Sequence, residues 1–250
     1  KSGKSTRQQM RSARISLFHG SNQPFEIYEC GLGPSDAGEV LVRVNLATIC
    51  GSDLHTFAGR RTSPIPCILA HEAVGQVAES TNTTDFNGSP LKEGDRITWS
   101  IISSCGTCLN CAYYQLPQKC ETLLKYGHAQ RALPRDLNGG FAQYIRLQPG
   151  TAIFRLPDSM ADSESVSLNC ALSTVIAGLN GIDIGDSVVI QGCGMLGIYA
   201  TSFLRYYGCE VVIVVDVRSD RLEMAKNFGR HTLSISRRYP LTKSMMNCSF

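Results

Sequence analysis

Ser187-Val188-Val189-Ile190-Gln191-Gly192-Cys193-Gly194-Met195-Leu196-Gly197 decides the fold of the second half of the chain. The apolar run within 187–191 suits a strand buried in a parallel sheet. Gly192, Gly194 and Gly197 spell G-x-G-x-x-G between that strand and a helix expected at about 195–207. These glycines permit a tight turn, the close approach of a pyrophosphate, and close helix–strand packing. The helix start, with Met195 and Leu196, offers N–H groups and a positive dipole end to phosphates. A second apolar strand is expected at 210–215. Asp216 ends it, about twenty residues past the glycines, where a carboxylate binds a ribose 2′-hydroxyl. The set reads as a site for NAD. Arg218 and Arg221 follow closely and leave room for NADP, with Arg221 counted among the cofactor-binding residues. Gly208 fits a helix C-cap, and a helix near 219–228 ends at Gly229. Strand, helix, strand, helix opens an α/β domain.

Upstream the pattern differs. Residues 40–46 alternate apolar and polar side chains, as a half-buried strand does. Shorter strand-like runs follow near 72–79, 96–102 and 141–147, separated by Gly, Pro, Asn and Ser clusters. This reads as an all-β domain. Residues 163–179 look helical. Residues 103–140 carry no strong period and read as one long loop, which needs a reason inside a compact domain. Residues 236–250 show no assignable element, and the chain holds no internal repeat.

A bound metal supplies that reason. Cys105, Cys108, Cys111 and Cys120 are spaced C-x2-C-x2-C-x8-C, which lets four thiolates converge on one zinc. Such a site is closed and structural. The alternative is four unrelated free thiols.

A second constellation is spread over three segments: Cys50-Gly51-Ser52-Asp53-Leu54-His55, Ala70-His71-Glu72 and Asn169-Cys170-Ala171. Two thiolates and one imidazole (Cys50, His71 and Cys170) leave the fourth tetrahedral position of a zinc open, as catalytic sites require. Asp53 is expected to accept from the His71 imidazole. Glu72 is expected to tune or transiently bind the metal, and Ser52 with His55 to relay a proton. Taken singly, each has a plainer reading: core packing, a structural histidine, a capped turn. Their joint occurrence favours the metal. Ser2-Gly3-Lys4-Ser5-Thr6 imitates the end of a phosphate-binding loop but lacks the upstream strand and glycine, and reads as chance.

The 250 residues suffice for one large domain or two modest ones, and 43% hydrophobic residues suit a globular core. A net charge of +3 and a pI near 8.3 point to no nucleic-acid surface. No apolar stretch is long enough for a membrane span. Eleven cysteines, an odd count partly clustered, with no apolar secretory segment, suggest reduced thiols in a cytoplasmic or organelle-matrix setting. The chain begins at Lys1, and the basic stretch with Lys4, Arg7 and Arg11 is expected to be a disordered tail, the alternative being a targeting-peptide remnant.

The segments, in this order, resemble the zinc-dependent medium-chain alcohol dehydrogenases over about residues 14–234. Ala-Gly-Glu-Val-Leu-Val-Arg-Val (37–44) and Gly-Gly-Phe-Ala-Gln-Tyr (139–144) also match that family's pattern. The resemblance implies an α/β fold with a β domain: a GroES-like catalytic domain followed by a Rossmann domain. It implies Cys50, His71 and Cys170 as catalytic zinc ligands, the four clustered cysteines as structural ones, and NAD-linked oxidation of a small alcohol to an aldehyde or ketone. Family members are often homo-oligomers. A narrower likeness, in residues 46–61, 116–120, 125–128 and 150–153, is to a subgroup proposed for phosphonate catabolism, in which Arg60, Arg61 or Lys125 would hold an anionic head.

There are three departures. Ala70 stands where the family usually has glycine before His71. Cys120 lies one residue farther along than is common. The second domain stops well short of the six strands of a full nucleotide-binding sheet. The expected organisation is a basic tail (1–13), a GroES-like domain (14–158), a partial Rossmann domain (159–235) and a divergent tail (236–250). Two other readings stay open: a polyol or threonine dehydrogenase-like enzyme, and a catalytically silent zinc-binding relative. A nucleic-acid-binding zinc module is more distant, with only Tyr113, Tyr114 and Lys119 near the cysteines.

Overall fold

A computed structural model describes residues 12–132, 135–229 and 232–236. The chain divides into two compact units, Lys1–Cys170 and Ala171–Phe250. No helix among the described residues is long and apolar enough to cross a membrane.

The first unit is built on antiparallel strands. In chain order they are β1 (Ser12–Phe18), β2 (Glu26–Gly31), β3 (Val40–Thr48), β4 (Cys67–Ile68), β5 (Glu72–Ser80), β6 (Arg96–Ser103), β7 (Leu124–Lys125), β8 (Tyr144–Leu147) and β9 (Thr151–Arg155). Helix α1 (Gly51–Phe57) follows β3, α2 (Leu109–Ala112) follows β6, and α3 (Asp162–Ser165) follows β9. One sheet runs β2-β1-β4. The other runs β7-β6-β5-β3-β8, with β9 also paired to β6.

Strand β3 lies between β5 and β8, and both of its faces are apolar. Val40 and Val42 pack with Ile97, Trp99, Tyr126 and Ile145 on one side. Leu41, pointing the other way, packs with Ile15, Leu17, Ile68 and Leu137. The alternation of side chains along a strand produces this split, and each fully buried aliphatic contributes about 1.5–3 kcal/mol.

The β3–β5 ladder carries two compensating bulges. Leu41 faces Glu79 but Val42 faces Val77, so Ala78 is skipped. Val44 faces Gly75 but Leu46 faces Val74, so Asn45 is skipped and the register is restored. Gly75 sits where β3 crowds it: a Cβ there would lie 2.3 Å from the Arg43 carbonyl oxygen. The restored register pairs Thr48 with Glu72.

Arg146 on β8 is buried and charged. Its guanidinium meets Glu39 at 3.3 Å and Ser35 Oγ at 2.7 Å, and donates to the Leu32 carbonyl. Glu39 in turn accepts from Gln148 Nε2 at 3.0 Å and from the Asp36 amide at 2.8 Å. Removing one partner strands the other charge in the core. Arg146→Ala should therefore destabilise the fold by about 3–5 kcal/mol, read as a shift in the urea midpoint. A shift worth under about 1 kcal/mol would mean that the pair is not buried in solution.

The second unit holds α4 (Ser173–Leu179), β10 (Ser187–Gln191), α5 (Met195–Tyr206), β11 (Val211–Asp216), α6 (Ser219–Phe228) and β12 (Thr232–Ser236). Its three strands are parallel, in the order β10-β11-β12. Val212 and Val214 of β11 pack with Leu204, Leu222 and Ala225 from the two helices.

Several expectations shift. The sheet has a third parallel strand at Thr232–Ser236, where the sequence suggested about two. The 163–179 stretch is not one helix: α3 and α4 flank a widened π turn at Leu168–Leu172. The 103–140 segment contains α2, a 3₁₀ turn at Pro117–Lys119 and β7. Strands β1, β2, β4 and β9 and helix α1 fall where the sequence pattern assigns no element.

The divide between units falls at 170/171 rather than 158/159. Val166 packs on Val74 and Leu156 of the first unit, and Arg96 holds Asp162 at 2.7 Å. Strand β1 begins at Ser12, inside the span expected to be tail. The rest of that tail, with the Ser2–Thr6 phosphate-loop look-alike, lies outside the described residues, as do residues 237–250.

Candidate metal and nucleotide sites

Strand pairing assembles the first site. Thr48 and Glu72 are paired at one end of the β3–β5 ladder. Cys50 lies just past Thr48 and His71 just before Glu72, so antiparallel register brings them to the same end. Thr48 Oγ1 donates to Glu72 Oε2 at 2.6 Å, fixing the carboxylate. Cys50 is the N-cap of α1. Cys170 comes from the π turn, a widened turn frequent at functional sites. Asn169 clamps that turn, its Nδ2 donating at 3.0 Å to the carbonyls of both His71 and Trp99.

The Cys50, His71, Glu72 and Cys170 donor atoms all lie within 4.8 Å of one another. Tetrahedral sulfur and nitrogen ligands of zinc stand about 3.3–3.8 Å apart, so small side-chain adjustments suffice. The electrostatics favour a cation. The Cys170 thiol donates to the Cys50 sulfur, and His71 adds a second bond, holding Cys50 at about 2. The same sharing, then burial and the Glu72 carboxylate, drives Cys170 far above the usual thiol range. Two sulfurs that compete for one proton in a half-buried site are a fit for a soft divalent ion.

Asp53 departs from expectation. Its Oδ1 is 3.9 Å from His71 Nδ1, too long for a hydrogen bond. Its firm contacts are with backbone: Oδ2 accepts from the Cys50 amide at 2.9 Å, and Oδ1 from the Ala70 amide at 3.3 Å. It therefore ties together the two chain segments that carry Cys50 and His71. Burial raises the Asp53 carboxyl above its ordinary pKa.

Ser52 bonds to the Cys50 sulfur through its backbone and side chain. His55 follows three residues on, one turn along the same face of α1. Its Nδ1 accepts from Arg60 Nε at 2.9 Å, so Arg60 must leave before that nitrogen can take a proton.

Three contributors were not assigned from sequence: Thr48, Asn169 and His128. His128 is buried, with its ring centroid 5.1 Å from that of His71. Burial first, then the charge of Arg61, lowers it to about 3, so it is neutral. In sequence, residues 125–128 carry only a family likeness; the packing that gives His128 a place appears only in the fold.

Ala70 adopts φ +68, a left-handed conformation that favours glycine. The departure from the family's glycine thus stores strain beside His71. Ala70→Gly should stabilise the chain by roughly 0.5–1 kcal/mol once the added freedom of the unfolded chain is counted. A thermal melt that falls on substitution would show that Ala70 is not strained.

The Sγ atoms of Cys105, Cys108, Cys111 and Cys120 also lie within 4.8 Å of one another. The amides of Thr107 and Cys108 donate to Cys105 Sγ at 3.4 and 3.3 Å and hold it near 5. The Cys105 amide donates to Cys120 Sγ at 3.2 Å and lowers that thiol. Desolvation, then Cys108, lifts Cys111 to about 12. Backbone N–H groups aimed at sulfur are what a cluster of thiolates around a cation needs.

In the second unit the glycine turn joins β10 to α5. Gly192 has φ +96. A Cβ on Gly197 would lie 2.1 Å from the Gly192 carbonyl oxygen, which explains the third glycine sterically. Gly194 is the N-cap of α5, so Met195 and Leu196 begin that helix, both exposed. Asp216, at the carboxyl end of β11, accepts from the Cys193 amide at 2.7 Å and the Arg218 amide at 2.9 Å, which lower its pKa. It therefore braces the glycine turn. Arg221 Nη1 is 3.7 Å from Asp216, while Arg218 pairs with Asp220.

Residues 36–158 match the family described as Alcohol dehydrogenase GroES-like domain. The chain is 33% identical over 235 residues to 5-exo-hydroxycamphor dehydrogenase of Pseudomonas putida, covering 91% of this chain and 63% of that protein. It is 28% identical over 195 residues to L-threonine 3-dehydrogenase of Francisella philomiragia, covering 76% of this chain and 52% of that one. An alcohol dehydrogenase structure from Thermotoga maritima superposes with a TM-score of 0.84 at 30% identity, over 94% of this chain and 66% of that one. The chain thus spans under two thirds of the length of these relatives.

Proposed function

The chain belongs to the zinc-dependent medium-chain alcohol dehydrogenase family, and from that membership we propose that it carries the zinc and nucleotide halves of an NAD-linked alcohol oxidation. The observation that carries the reading is the convergence of Cys50, His71 and Cys170 in one half-buried cluster. In this reading Cys50, His71 and Cys170 would hold a catalytic zinc, with Glu72 beside it, and Cys105, Cys108, Cys111 and Cys120 a structural one. Zinc at the first site would supply a Lewis acid that lowers the pKa of an alcohol hydroxyl. A nicotinamide cofactor would supply the hydride acceptor.

The protein's own residues do the rest. Ser52, bonded to Cys50, is within one helical turn of His55 and takes the hydroxyl proton toward it. His55 is exposed and passes the proton to solvent once Arg60 releases Nδ1. Asp53 holds the Cys50 and Ala70 backbones in place. Gly192, Gly194 and Gly197 keep the pyrophosphate approach open, and the first turn of α5 (Met195, Leu196) offers its N–H groups. Asp216 has acceptor capacity for a ribose hydroxyl, which favours NAD, while Arg221 beside it would tolerate a 2′-phosphate.

The finer substrate reading, an alcohol bearing a phosphonate, rests on Arg61 and Lys125, whose charges act on His128. A threonine dehydrogenase-like activity is supported by the likeness to that enzyme.

The test is an NADH titration of the zinc-loaded chain. Saturable binding is expected, and Gly197→Val should abolish it, because the new side chain would collide with the Gly192 carbonyl. Equal binding by wild type and Gly197→Val would reject the nucleotide site. No binding by the wild type would favour a catalytically silent zinc protein.

A further inference from the structure

His71 and His128 share an oddity: among the described residues, His71 Nδ1 and both ring nitrogens of His128 are buried with no hydrogen-bond partner. Orphaned buried polar atoms cost about 1–3 kcal/mol each, so His71 Nδ1 and the His128 nitrogen nearest it call for a common partner.

The backbone fixes their meeting. Gly127 has φ +72, and a Cβ there would lie 2.6 Å from the Ala70 carbonyl carbon, so the 126–128 segment presses directly on the peptide that leads into His71. The Gly127 amide donates to Asn138 O at 2.7 Å and the His128 amide to Lys125 O at 3.2 Å, locking that approach. Asp53, His71 and His128 each present one ligand-type atom within 4.8 Å of the other two. The His71 Nδ1–Asp53 Oδ1 separation is 3.9 Å. These distances are too long for direct bonds. They suit atoms that share one tetrahedral oxygen, where two partners at about 2.8 Å stand about 4.6 Å apart.

We propose that His128 is a positioning residue for His71, acting through one buried water held jointly by His71 Nδ1, Asp53 Oδ1 and a His128 ring nitrogen. This rests on the zinc reading above. Three polar partners is the usual complement of a buried water. The water accepts from His71 Nδ1–H and donates to Asp53 Oδ1. The third bond goes to His128, whose imidazole offers one N–H and one lone pair in either tautomer. The effect is to fix the His71 tautomer. With the proton held on Nδ1, Nε2 can give up its hydrogen bond to Cys50 and keep a lone pair for the metal. Sequence spacing assigns this task to Asp53 alone; the structure makes it a three-residue device.

The test uses the zinc-loaded full chain. Zinc release into a competing chelator should show two classes, one for each cysteine-bearing site. His128→Phe keeps the ring's bulk and loses its hydrogen bonds. It should weaken the class lost in Cys50→Ser by about 10–100-fold, the range for outer-shell partners of metal-bound histidine. The four-cysteine class should be unmoved. His128→Gln, which keeps a donor and an acceptor, should stay within about threefold of wild type. An unchanged His128→Phe, or a His128→Gln as weak as the Phe variant, overturns the proposal.

If His128→Phe does not fold, the wild type decides by nitrogen-15 histidine NMR. A slowly exchanging His71 Nδ1–H resonance supports the device; a His71 ring protonated at Nε2 or exchanging freely overturns it. A wild-type chain that holds only the four-cysteine zinc rejects the catalytic reading itself, which separates that failure from this one.

Discussion

Under the proposed reading, Cys50→Ser will abolish zinc binding at its own site, leave binding at the four-cysteine cluster, and reduce any alcohol oxidation to background. The effect is large because Cys50 is the hub of its site. It is the sulfur to which both Cys170 and His71 bond, and it sits at the N-cap of α1, where its position is set by the Asp53 carboxylate. A serine hydroxyl has the shape but not the low proton affinity of that thiol. The loss in zinc affinity should exceed the 10–100-fold, roughly, that outer-shell changes cost. Fold stability should change little, because Cys50 lies outside the packed clusters around Trp99 and Ile15. Zinc counted per chain after chelator dialysis, with a thermal melt alongside, checks both halves. Retained zinc and unchanged turnover would refute the metal assignment at Cys50.

The second large effect concerns the four-cysteine cluster. Cys120→Ser, or stripping the metal, should melt the 103–140 excursion and reach the core. The 104–123 part of this segment has little to hold it besides the cluster: a four-residue helix and one 3₁₀ turn. Yet the segment delivers Leu124 and Tyr126 to the cluster around Trp99. Structural zinc in small peptides is worth about 10–16 kcal/mol. Part of that is offset here, because the β3–β5 and β3–β8 ladders are paired wholly outside this segment. A remaining loss of about 5 kcal/mol corresponds to a fall in Tm of roughly 10–20 °C at this size. Faster hydrogen exchange confined first to 103–140 should accompany it. Melting curves indifferent to a strong chelator would show that the thiols hold no metal.

The parts legible in the sequence were those fixed by local chemistry. G-x-G-x-x-G was readable because each glycine answers a steric demand within a few residues, Gly197 against Gly192 above all. The four cysteines were readable because their spacing alone brings the sulfurs together. Strand β3 was readable from its alternation. What escaped depends on distant packing or on brevity. Helix α1 spans seven residues, too short to show a period. The π turn under Cys170 exists because Asn169 is bonded to two carbonyls far away in sequence. His128 acquires a place only when Gly127 meets Ala70. The strand Thr232–Ser236 was missed because it is short and flanked by residues with no pattern.

The two bulges of the β3–β5 ladder act as a matched pair of phase errors, one cancelling the other. Skipping Ala78 slips the strands by one residue; skipping Asn45 slips them back. Without the second slip, Thr48 would oppose His71 instead of Glu72, and the last residues of β3 would present their opposite faces. Asn45 therefore works as a spacer, and its side chain also ties to Asp162, Nδ2 donating to Oδ2 at 3.1 Å. A single-residue deletion there would leave the sheet able to form while turning the ends of both strands out of step. The chain would still fold but lose the convergence of Cys50 with His71 on which the proposed metal site depends, an outcome that a screen scoring expression alone would pass as healthy.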